Sequence, residues 1–254
     1  ATGALENAIT FPGWTKAGVM GAGAIQTMVN MHRVLPGKRV LMTGSGNVGL
    51  IVSYQLLQAG AEVAAIVEAA PTIGGYAVHA SKVRRCGVPI LTSTTVKEAR
   101  GDGRVESAVV ARVDDRWQPI DGMEKELQVD TICMACGLSP LSELAWMARC
   151  EFAYLPELGG HIPVHDQTMQ TTVPGLYVAG DLAGIEEAST AIEEGKLAGI
   201  AVAESLGHLS SDEAAARKRA ARGRLDGLRA GPLGEERRAA VDRLEGGRVT
   251  SWRS

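Results

Sequence analysis

The chain has 254 residues, of which 45% are hydrophobic, and a formal net charge of -3 at pH 7. This length allows one large domain or two of ordinary size with well-developed apolar cores. The small negative charge gives no reason to expect nucleic acid as a partner, and no apolar run approaches the roughly 18 residues of a membrane span.

Strand-like and helix-like segments alternate along the chain, which predicts an α/β, doubly wound parallel sheet of the Rossmann type. An alternating segment over residues 105–113 and a return over 126–129, joined by turn residues 114–124, predict an antiparallel β insertion. The other predicted elements are helices over 25–32, 47–59 and 76–86 and strands over 39–43, 63–67, 89–92 and 131–135.

The most informative motif is Gly44-Ser45-Gly46-Asn47-Val48-Gly49, a G-x-G-x-x-G sequence between a predicted strand and a predicted helix. The first glycine allows a tight turn, the second lets the backbone approach a pyrophosphate, and the third lets the helix pack closely on the strand. The start of the helix offers N–H groups and partial positive charge to the phosphates. An ordinary glycine turn is the alternative, but the surrounding strands and acid favour a dinucleotide site.

Glu68 ends the second strand of this predicted unit. Its carboxylate can accept hydrogen bonds from both hydroxyls of an adenosine ribose. No Arg or Lys lies between Glu68 and Tyr76 to pair with a 2′-phosphate. The sequence therefore predicts NAD(H) rather than NADP(H) as the cofactor.

Three short segments resemble those of a known class of flavoproteins. Ala1-Thr2-Gly3 and Ala135-Cys136-Gly137 are small-residue strand ends at the edges of the predicted nucleotide domain, and residues 171–181 indicate a strand that ends in Gly180-Asp181. With these motifs the chain resembles the pyridine nucleotide-disulfide oxidoreductase class, in which an NAD(P)H domain is inserted into an FAD domain. The resemblance covers residues 1–207.

The resemblance implies that FAD is bound as well as NAD(H). Asp181 is expected to hydrogen-bond the ribityl chain of FAD, and Gly180 to allow its close approach. The helix that begins near Glu187-Ala188-Ser189 would point its positive end at the flavin pyrimidine. Thr2, Gly3 and Gly137 complete the set of cofactor-binding residues.

The class also has an earlier G-x-G-x-x-G that binds the ADP half of FAD, and the sequence holds no such segment before Ala1-Thr2-Gly3. We therefore expect an incomplete FAD site, whose missing part belongs to an absent N-terminal segment or to a second subunit. Truncation is favoured because a sheet cut within a domain leaves unpaired edges and an uncovered apolar face. The isolated chain is expected to retain FAD weakly or not at all.

Three further short segments indicate a subgroup within this class of flavoproteins. Phe11-Pro12-Gly13-Trp14, Gly18-Val19-Met20 and Gly137-Leu138-Ser139-Pro140 are similar to segments in alpha-type subunits of heteromeric amine and amino-acid dehydrogenases, which include opine, sarcosine, proline and glycine oxidoreductases. This similarity implies a partner subunit. It does not extend to the substrate or the electron acceptor.

The four cysteines suit free thiols in a reducing compartment, which predicts a cytoplasmic protein. Cys133 and Cys136 form C-x-x-C, but residues i and i+3 of a strand point to opposite faces, whereas an active C-x-x-C normally begins a helix. We expect structural cysteines there, as at Cys86 and Cys150, and no metal site.

No catalytic residue is predicted, because hydride transfer between nicotinamide and flavin requires positioning and electrostatics rather than a protein nucleophile. His161 and His165 are close in sequence, but loop or strand positions are the favoured interpretation. Glu186-Glu187 and Glu193-Glu194 could supply acid-base carboxylates, although adjacent acids usually form the solvated face of a helix.

After Gly207 basic residues outnumber acidic ones, and the Ala and Arg content of residues 212–228 predicts a helix that Gly231-Pro232 interrupts. A nucleic-acid-binding arm is one interpretation. The interleaved acids favour a solvated helix or a subunit-docking segment instead.

Four segments are predicted: an FAD-domain segment (1–15), an NAD(H)-binding domain (16–140), a second FAD-domain segment (141–209) and a charged helical tail (210–254). The predicted function is hydride transfer between NAD(H) and FAD within a multi-component amine or amino-acid dehydrogenase. The alternatives are an NADH-dependent reductase of a quinone, ferredoxin or small acceptor, and an NAD-binding sensor or structural module without turnover.

Overall fold

The computed structural model describes residues 1–253, except for the side chains of residues 232, 233 and 253. The chain divides into two compact units. The first comprises Ala1–Leu5 and the residues from Leu138 onward, and the second comprises Glu6–Gly137. None of the helices within residues 1–253 has the length and apolar character that crossing a bilayer requires.

Strands and helices alternate over much of the chain. The strands are β1 (Ala4–Glu6), β2 (Val19–Gly21), β3 (Arg39–Thr43), β4 (Glu62–Val67), β5 (Ile90–Leu91), β6 (Thr94–Arg100), β7 (Ser107–Val113), β8 (Pro119–Gln128), β9 (Thr131–Met134), β10 (Leu138–Pro140), β11 (Glu151–Leu155), β12 (Gly160–Pro163) and β13 (Trp252–Arg253). The α-helices are α1 (Ala22–Asn30), α2 (Asn47–Gln58), α3 (Ala77–Arg85), α4 (Glu143–Met147), α5 (Ala188–Ser205), α6 (Ser211–Leu228) and α7 (Pro232–Glu245), and short 3-10 helices cover Pro156–Leu158 and Gly180–Leu182.

The second unit is built on a five-stranded sheet in the order β2-β9-β3-β4-β5, and every neighbouring pair is parallel. Its strands are apolar on both faces because both faces are covered. Val40 and Met42 of β3 pack with α1, α2 and α3, whereas Leu41 between them packs on the opposite side with residues of β6 and β7. The predicted Rossmann-type parallel sheet is confirmed, with helices α1, α2 and α3 on one face and the antiparallel insertion on the other.

The antiparallel insertion forms a three-stranded sheet in the order β6-β7-β8. The predicted pair of strands is present, but two details of the prediction are wrong. Strand β6 was not predicted, and β8 begins at Pro119 within a segment expected to be a turn. Both strands are rich in charged residues, so pairing with the buried strand β7 rather than local β propensity decides their structure.

The first unit combines the small sheet β12-β11-β13, the pair β1-β10 and the helices α4 to α7. The predicted helix of the tail is present as α6, and Pro232 begins a second helix, a position where its missing N–H has no cost. Leu225 of α6 and Leu244 of α7 are buried in apolar clusters of this unit. Each tail helix therefore buries one face within the first unit.

Two predicted strand ends differ from the structure. Residues 171–181 make isolated bridges, Thr171 with His165 and Tyr177 with Gln170, and form no named strand within the described residues. Strand β1 follows Thr2 and Gly3 instead of ending at them. A strand requires a continuous ladder partner, and within the first unit neither segment has one at the predicted positions.

Candidate functional site

The first and third glycines of the G-x-G-x-x-G sequence are required by the fold itself. Gly44 follows β3 with φ of 99°, and a Cβ atom at this position would lie 2.2 Å from the carbonyl oxygen of Ala135. Gly49 lies in the first turn of α2, where a Cβ atom would lie 2.1 Å from the carbonyl oxygen of Gly44. Glycine at position 44 therefore lets the turn after β3 approach the residue after β9, and glycine at position 49 lets helix α2 approach that turn.

The second glycine differs from the other two. Gly46 is the N-cap of α2, with φ of -64° and ψ of 174°, and no described atom comes within 4 Å of a Cβ built there. Neither backbone conformation nor packing requires glycine at this position. The open space lies at the N-terminus of a helix, where backbone N–H groups and the helix dipole favour an anion.

Glu68 is brought directly to the glycine-rich turn. Its Oε2 atom accepts hydrogen bonds from the backbone N–H and the hydroxyl of Ser45, each at 2.8 Å, and its Oε1 atom accepts one from the N–H of Ala70 at 2.9 Å. A carboxylate offers about four acceptor positions, so these bonds leave capacity for a ribose hydroxyl. The predicted residues 44–49 and 68 form one cluster in the second unit.

A second glycine pair, which the sequence prediction did not place in the site, completes this cluster. The N–H of Gly75 donates to the carbonyl oxygen of Ser45 at 2.9 Å, and the N–H of Gly74 donates to the Ser45 hydroxyl at 3.2 Å. A Cβ atom on Gly75 would lie 2.9 Å from the backbone nitrogen of Asn47. Asn47 in turn accepts from the N–H of Tyr76 through Oδ1 at 2.8 Å. The only sequence signal was the pair of adjacent glycines in a loop.

In the first unit, Gly180 and Asp181 form a tight turn beside the start of α5. Gly180 has φ of 70°, and a Cβ atom there would lie 3.5 Å from the Cβ of Ala191 in α5. Asp181 is half-buried, and this desolvation raises the pKa of its carboxyl. Glu187 is the N-cap of α5, and Ala188 and Ser189 begin the helix at the surface. The structure therefore brings these predicted residues together.

The remaining predicted residues occupy two places. In the first unit the Thr2 hydroxyl donates to the carbonyl oxygen of Leu141, and the Gly3 carbonyl oxygen accepts from the N–H of Leu141 at 3.0 Å. Gly137 is the last residue of the second unit, with φ of 98°. Val48 is 42% exposed at the start of α2.

The acidic pair of α5 is not the solvated face that its sequence predicted. Glu193 and Glu194 are both buried. Glu193 accepts from Lys196 and Arg224, whereas Glu194 pairs with Arg229 and also accepts from the backbone N–H of Gly180 at 2.9 Å. Burial raises the pKa of Glu194 to about 7. Arg229, which no sequence pattern singled out, therefore belongs to the surroundings of the Gly180 turn.

The C-x-x-C sequence lacks the surroundings of a redox pair. Cys133 lies in β9 and is fully buried, and Cys136 follows the strand. Burial raises the pKa of both thiols, that of Cys136 to about 11, which opposes formation of the reactive thiolate. Within residues 1–253 no three His, Cys, Asp or Glu side chains are grouped so that they could hold a metal ion.

His165 is a buried loop residue of the first unit. Its Nδ1 atom lies 3.1 Å from the carbonyl oxygen of Asp166, and its Nε2 atom has no partner among the described residues. Burial lowers the pKa of this imidazole to about 4.

Curated proteins of related sequence are subunits of oxidases and synthases. The chain is 27% identical to hydrogen cyanide synthase subunit HcnB of Pseudomonas aeruginosa, over 93% of this chain and 54% of that protein. It is 30% identical to an opine oxidase subunit of Rhizobium meliloti, over 82% of this chain and 48% of that protein. The chain thus spans about half the length of these relatives.

Solved structures share the fold. Thioredoxin reductase of T. acidophilum matches with a TM-score of 0.65 and 20% identity, over 80% of this chain and 63% of that one. L-proline dehydrogenase of P. horikoshii matches with a TM-score of 0.61 and 22% identity, over 89% of this chain and 37% of that one. The sequence model of the pyridine nucleotide-disulphide oxidoreductases, flavin-dependent enzymes that bind FAD and NAD(P), matches residues 1–195. The chain belongs to the pyridine nucleotide-disulphide oxidoreductase family.

Proposed function

We propose that this chain transfers hydride between NAD(H) and FAD within one component of a multi-subunit amine or amino-acid dehydrogenase. The observation that supports the nucleotide site is the open space at Gly46. Gly44 and Gly49 are fixed by backbone contacts, whereas Gly46 has room around its Cβ position at the start of α2. A glycine that the fold does not need is explained by a ligand that approaches the backbone there.

In this proposal residues 44–49 hold the pyrophosphate of NAD(H). The N-terminal N–H groups of α2 would donate to the phosphates, and the helix dipole would stabilise their charge. Glu68 would accept hydrogen bonds from the adenosine ribose while its contacts with Ser45 keep the carboxylate in place. A 2′-phosphate would meet this carboxylate with no Arg or Lys between Glu68 and Tyr76, so NAD(H) is preferred over NADP(H).

The flavin contacts are assigned to the first unit. Asp181 would accept a hydrogen bond from the ribityl chain, and Gly180 would allow the close approach. The N-terminus of α5, with Glu187, Ala188 and Ser189, would face the pyrimidine ring and stabilise negative charge on it. Thr2 and Gly3 would contribute backbone contacts, and Gly137 of the second unit stays a predicted cofactor-binding residue. When bound, the flavin supplies the hydride acceptor, and these residues supply position and charge.

The substrate class rests on the relatives. Their names indicate oxidation of opines and of sarcosine, and synthesis of hydrogen cyanide, by proteins assembled from subunits. We propose that the present chain likewise assembles with a partner subunit. The remaining contacts to FAD, in particular those to its ADP half, would come from outside these residues.

Calorimetric titration with NADH and with NADPH tests the nucleotide assignment. We expect NADH to bind more tightly by about tenfold or more, because a 2′-phosphate would be unpaired beside Glu68. Equal affinities would contradict the assignment of Glu68, and no binding of either nucleotide would contradict the whole site. Anaerobic mixing of NADH with the flavin-loaded full gene product then separates an enzyme from a sensor, since bleaching of the flavin requires hydride transfer.

A further inference from the structure

A buried arginine of the tail lies between two buried carboxylates. Arg229 is 5% exposed and lies at the C-terminal end of α6. Its Nη2 atom lies 2.6 Å from Oε1 of Glu186 and 2.6 Å from Oε1 of Glu194, and its Nε atom donates to both oxygens of Glu186. The guanidinium therefore holds both carboxylates in one geometry, which its planar arrangement of donors allows.

One of these carboxylates also holds the Gly180 turn. The Oε2 atom of Glu194 accepts from the backbone N–H of Gly180 at 2.9 Å, while its Oε1 atom binds Arg229. Gly180 has a left-handed conformation and begins the short helix that contains Asp181. The two oxygens of one carboxylate thus join a side chain of the tail to the backbone of the turn.

The position of Arg229 is itself fixed from both sides. Leu225, one turn earlier in α6, is buried with Leu182, which directly follows Asp181. A Cβ atom on Gly234 of α7 would lie 2.4 Å from the carbonyl oxygen of Arg229, so the first turn of α7 lies against the arginine backbone. The guanidinium is thus presented by two packed helices and not by a mobile arm.

A role in net stability alone does not explain this arrangement. Burial of an ion pair costs desolvation energy that the attraction often fails to exceed, and here two carboxylates share one cation. Apolar side chains would fill the same space at lower cost. What they could not supply is an acceptor held in a defined position beside the N–H of Gly180.

We propose that Arg229 is a positioning residue, which acts through Glu194 to hold the Gly180–Asp181 turn in the conformation that receives the flavin. This role rests on the flavin contacts of the proposed function. It makes the tail helices α6 and α7 part of the flavin site, although the family match ends at residue 195.

Hydrogen exchange at the Gly180 amide tests the linkage without any cofactor. In Arg229→Met we expect this amide to exchange at least about tenfold faster, while core amides of α5 such as that of Leu197 keep their rates. Arg224→Met is the matched control, because Arg224 is on the same helix and pairs with the neighbouring Glu193. Unchanged exchange at Gly180 in Arg229→Met, or an equal increase at Leu197, would overturn the proposal.

If Arg229→Met does not fold, Arg229→Lys replaces it in the hydrogen-exchange experiment. A lysine keeps the charge but cannot reproduce the guanidinium's simultaneous bonds to both carboxylates, so the same selective increase at Gly180 is expected. FAD titration of the full gene product provides the second readout, with affinity at least about tenfold lower in Arg229→Lys than in Arg224→Met. Equal FAD affinities of these two variants would refute the positioning role, whereas failure of the wild type to bind FAD would refute the proposed flavin site and leave the exchange result intact.

Discussion

Gly46→Ala should remove most NADH binding while leaving the stability of the second unit almost unchanged. The backbone angles of Gly46 are ones that alanine adopts, and no described atom lies within 4 Å of the new methyl group. A compatible Gly-to-Ala change stabilises by about 0.4–1 kcal/mol through the unfolded state, and the poorer N-cap costs a similar amount. We expect a change in unfolding free energy below about 1 kcal/mol and a Tm shift within about 4 °C.

Binding should respond far more strongly. The methyl group would occupy the space assigned to the pyrophosphate, which would then lose hydrogen bonds to the N-terminus of α2. A hydrogen bond to a charged group contributes about 1.5–3 kcal/mol. Loss of one such bond corresponds to an affinity for NADH that is lower by about tenfold to a hundredfold.

Two matched variants separate this effect from general damage. In Gly49→Ala the methyl group would lie 2.1 Å from the Gly44 carbonyl oxygen, and a backbone atom cannot move aside cheaply. This overpacking should destabilise the unit by about 1–3 kcal/mol. Gly223→Ala lies in the interior of α6 with no described atom near the new methyl, so it should gain helix stability and bind NADH normally.

Calorimetric titration with NADH and thermal melting followed by circular dichroism measure the two effects on the same samples. Wild-type affinity in Gly46→Ala would show that the pyrophosphate does not lie at this turn, and the nucleotide site would have to be abandoned. A melting temperature as low as that of Gly49→Ala would show instead that the space around Gly46 is needed for folding.

Three further predictions concern side chains. Glu68→Ala should weaken NADH binding by about 1–3 kcal/mol in a calorimetric titration. It should also lower Tm, because the N–H groups of Ser45 and Ala70 lose their acceptor. Unchanged affinity for NADH would remove Glu68 from the site. Burial lowers the pKa of His165 to about 4, so the folded state favours the neutral imidazole. The contribution of this preference to the free energy of unfolding is fully present above pH of about 6.5 and is lost as pH falls through about 4. Urea unfolding should show a loss of up to about 3 kcal/mol across this range that His165→Gln lacks, and equal pH profiles would refute the assignment. A disulfide exchange reagent at neutral pH should modify the exposed Cys86 much faster than the partly buried Cys136, whose pKa is raised to about 11. Comparable rates at the two thiols would contradict this prediction.

The parallel sheet and its glycine-rich turn could be predicted because their signals are local. A buried apolar strand, three spaced glycines and an acid at the next strand end define the turn within residues 39–68. Close backbone contacts explain why Gly44 and Gly49 are glycines, whereas only the proposed ligand explains the glycine at position 46. Binding of NAD(H) to the turn remains a prediction.

The elements that were missed depend on contacts between distant residues. Strand β6 contains four charged or hydroxyl residues among its first five, and its pairing with β7 determines its structure. Within residues 1–253 the strand predicted over residues 171–181 is absent, although its local pattern favours one. Its residues make only isolated bridges, because no strand in the described part of the chain pairs with the segment along its length. Arg229 gave no signal at all, since its partners Glu186 and Glu194 belong to another helix and the loop before it.

The two turns proposed to bind cofactors, at residues 44–49 and at Gly180–Asp181, are held by the same kind of hydrogen bond. In each, a carboxylate distant in sequence accepts a hydrogen bond from a backbone N–H of a glycine-containing turn. Glu68 accepts from the N–H of Ser45, and Glu194 accepts from the N–H of Gly180. A turn that must leave its remaining N–H groups and its open face for a ligand cannot be held by regular backbone pairing, because that pairing would consume the same groups. A side-chain carboxylate fixes the turn from behind at the cost of burying a charge. In the first unit that charge is balanced by Arg229, and in the second it is solvated by three hydrogen bonds from Ser45 and Ala70. Removal of either carboxylate should therefore disturb the turn before it disturbs the surrounding core, which is the order of events that selective exchange at Gly180 and Ser45 would reveal.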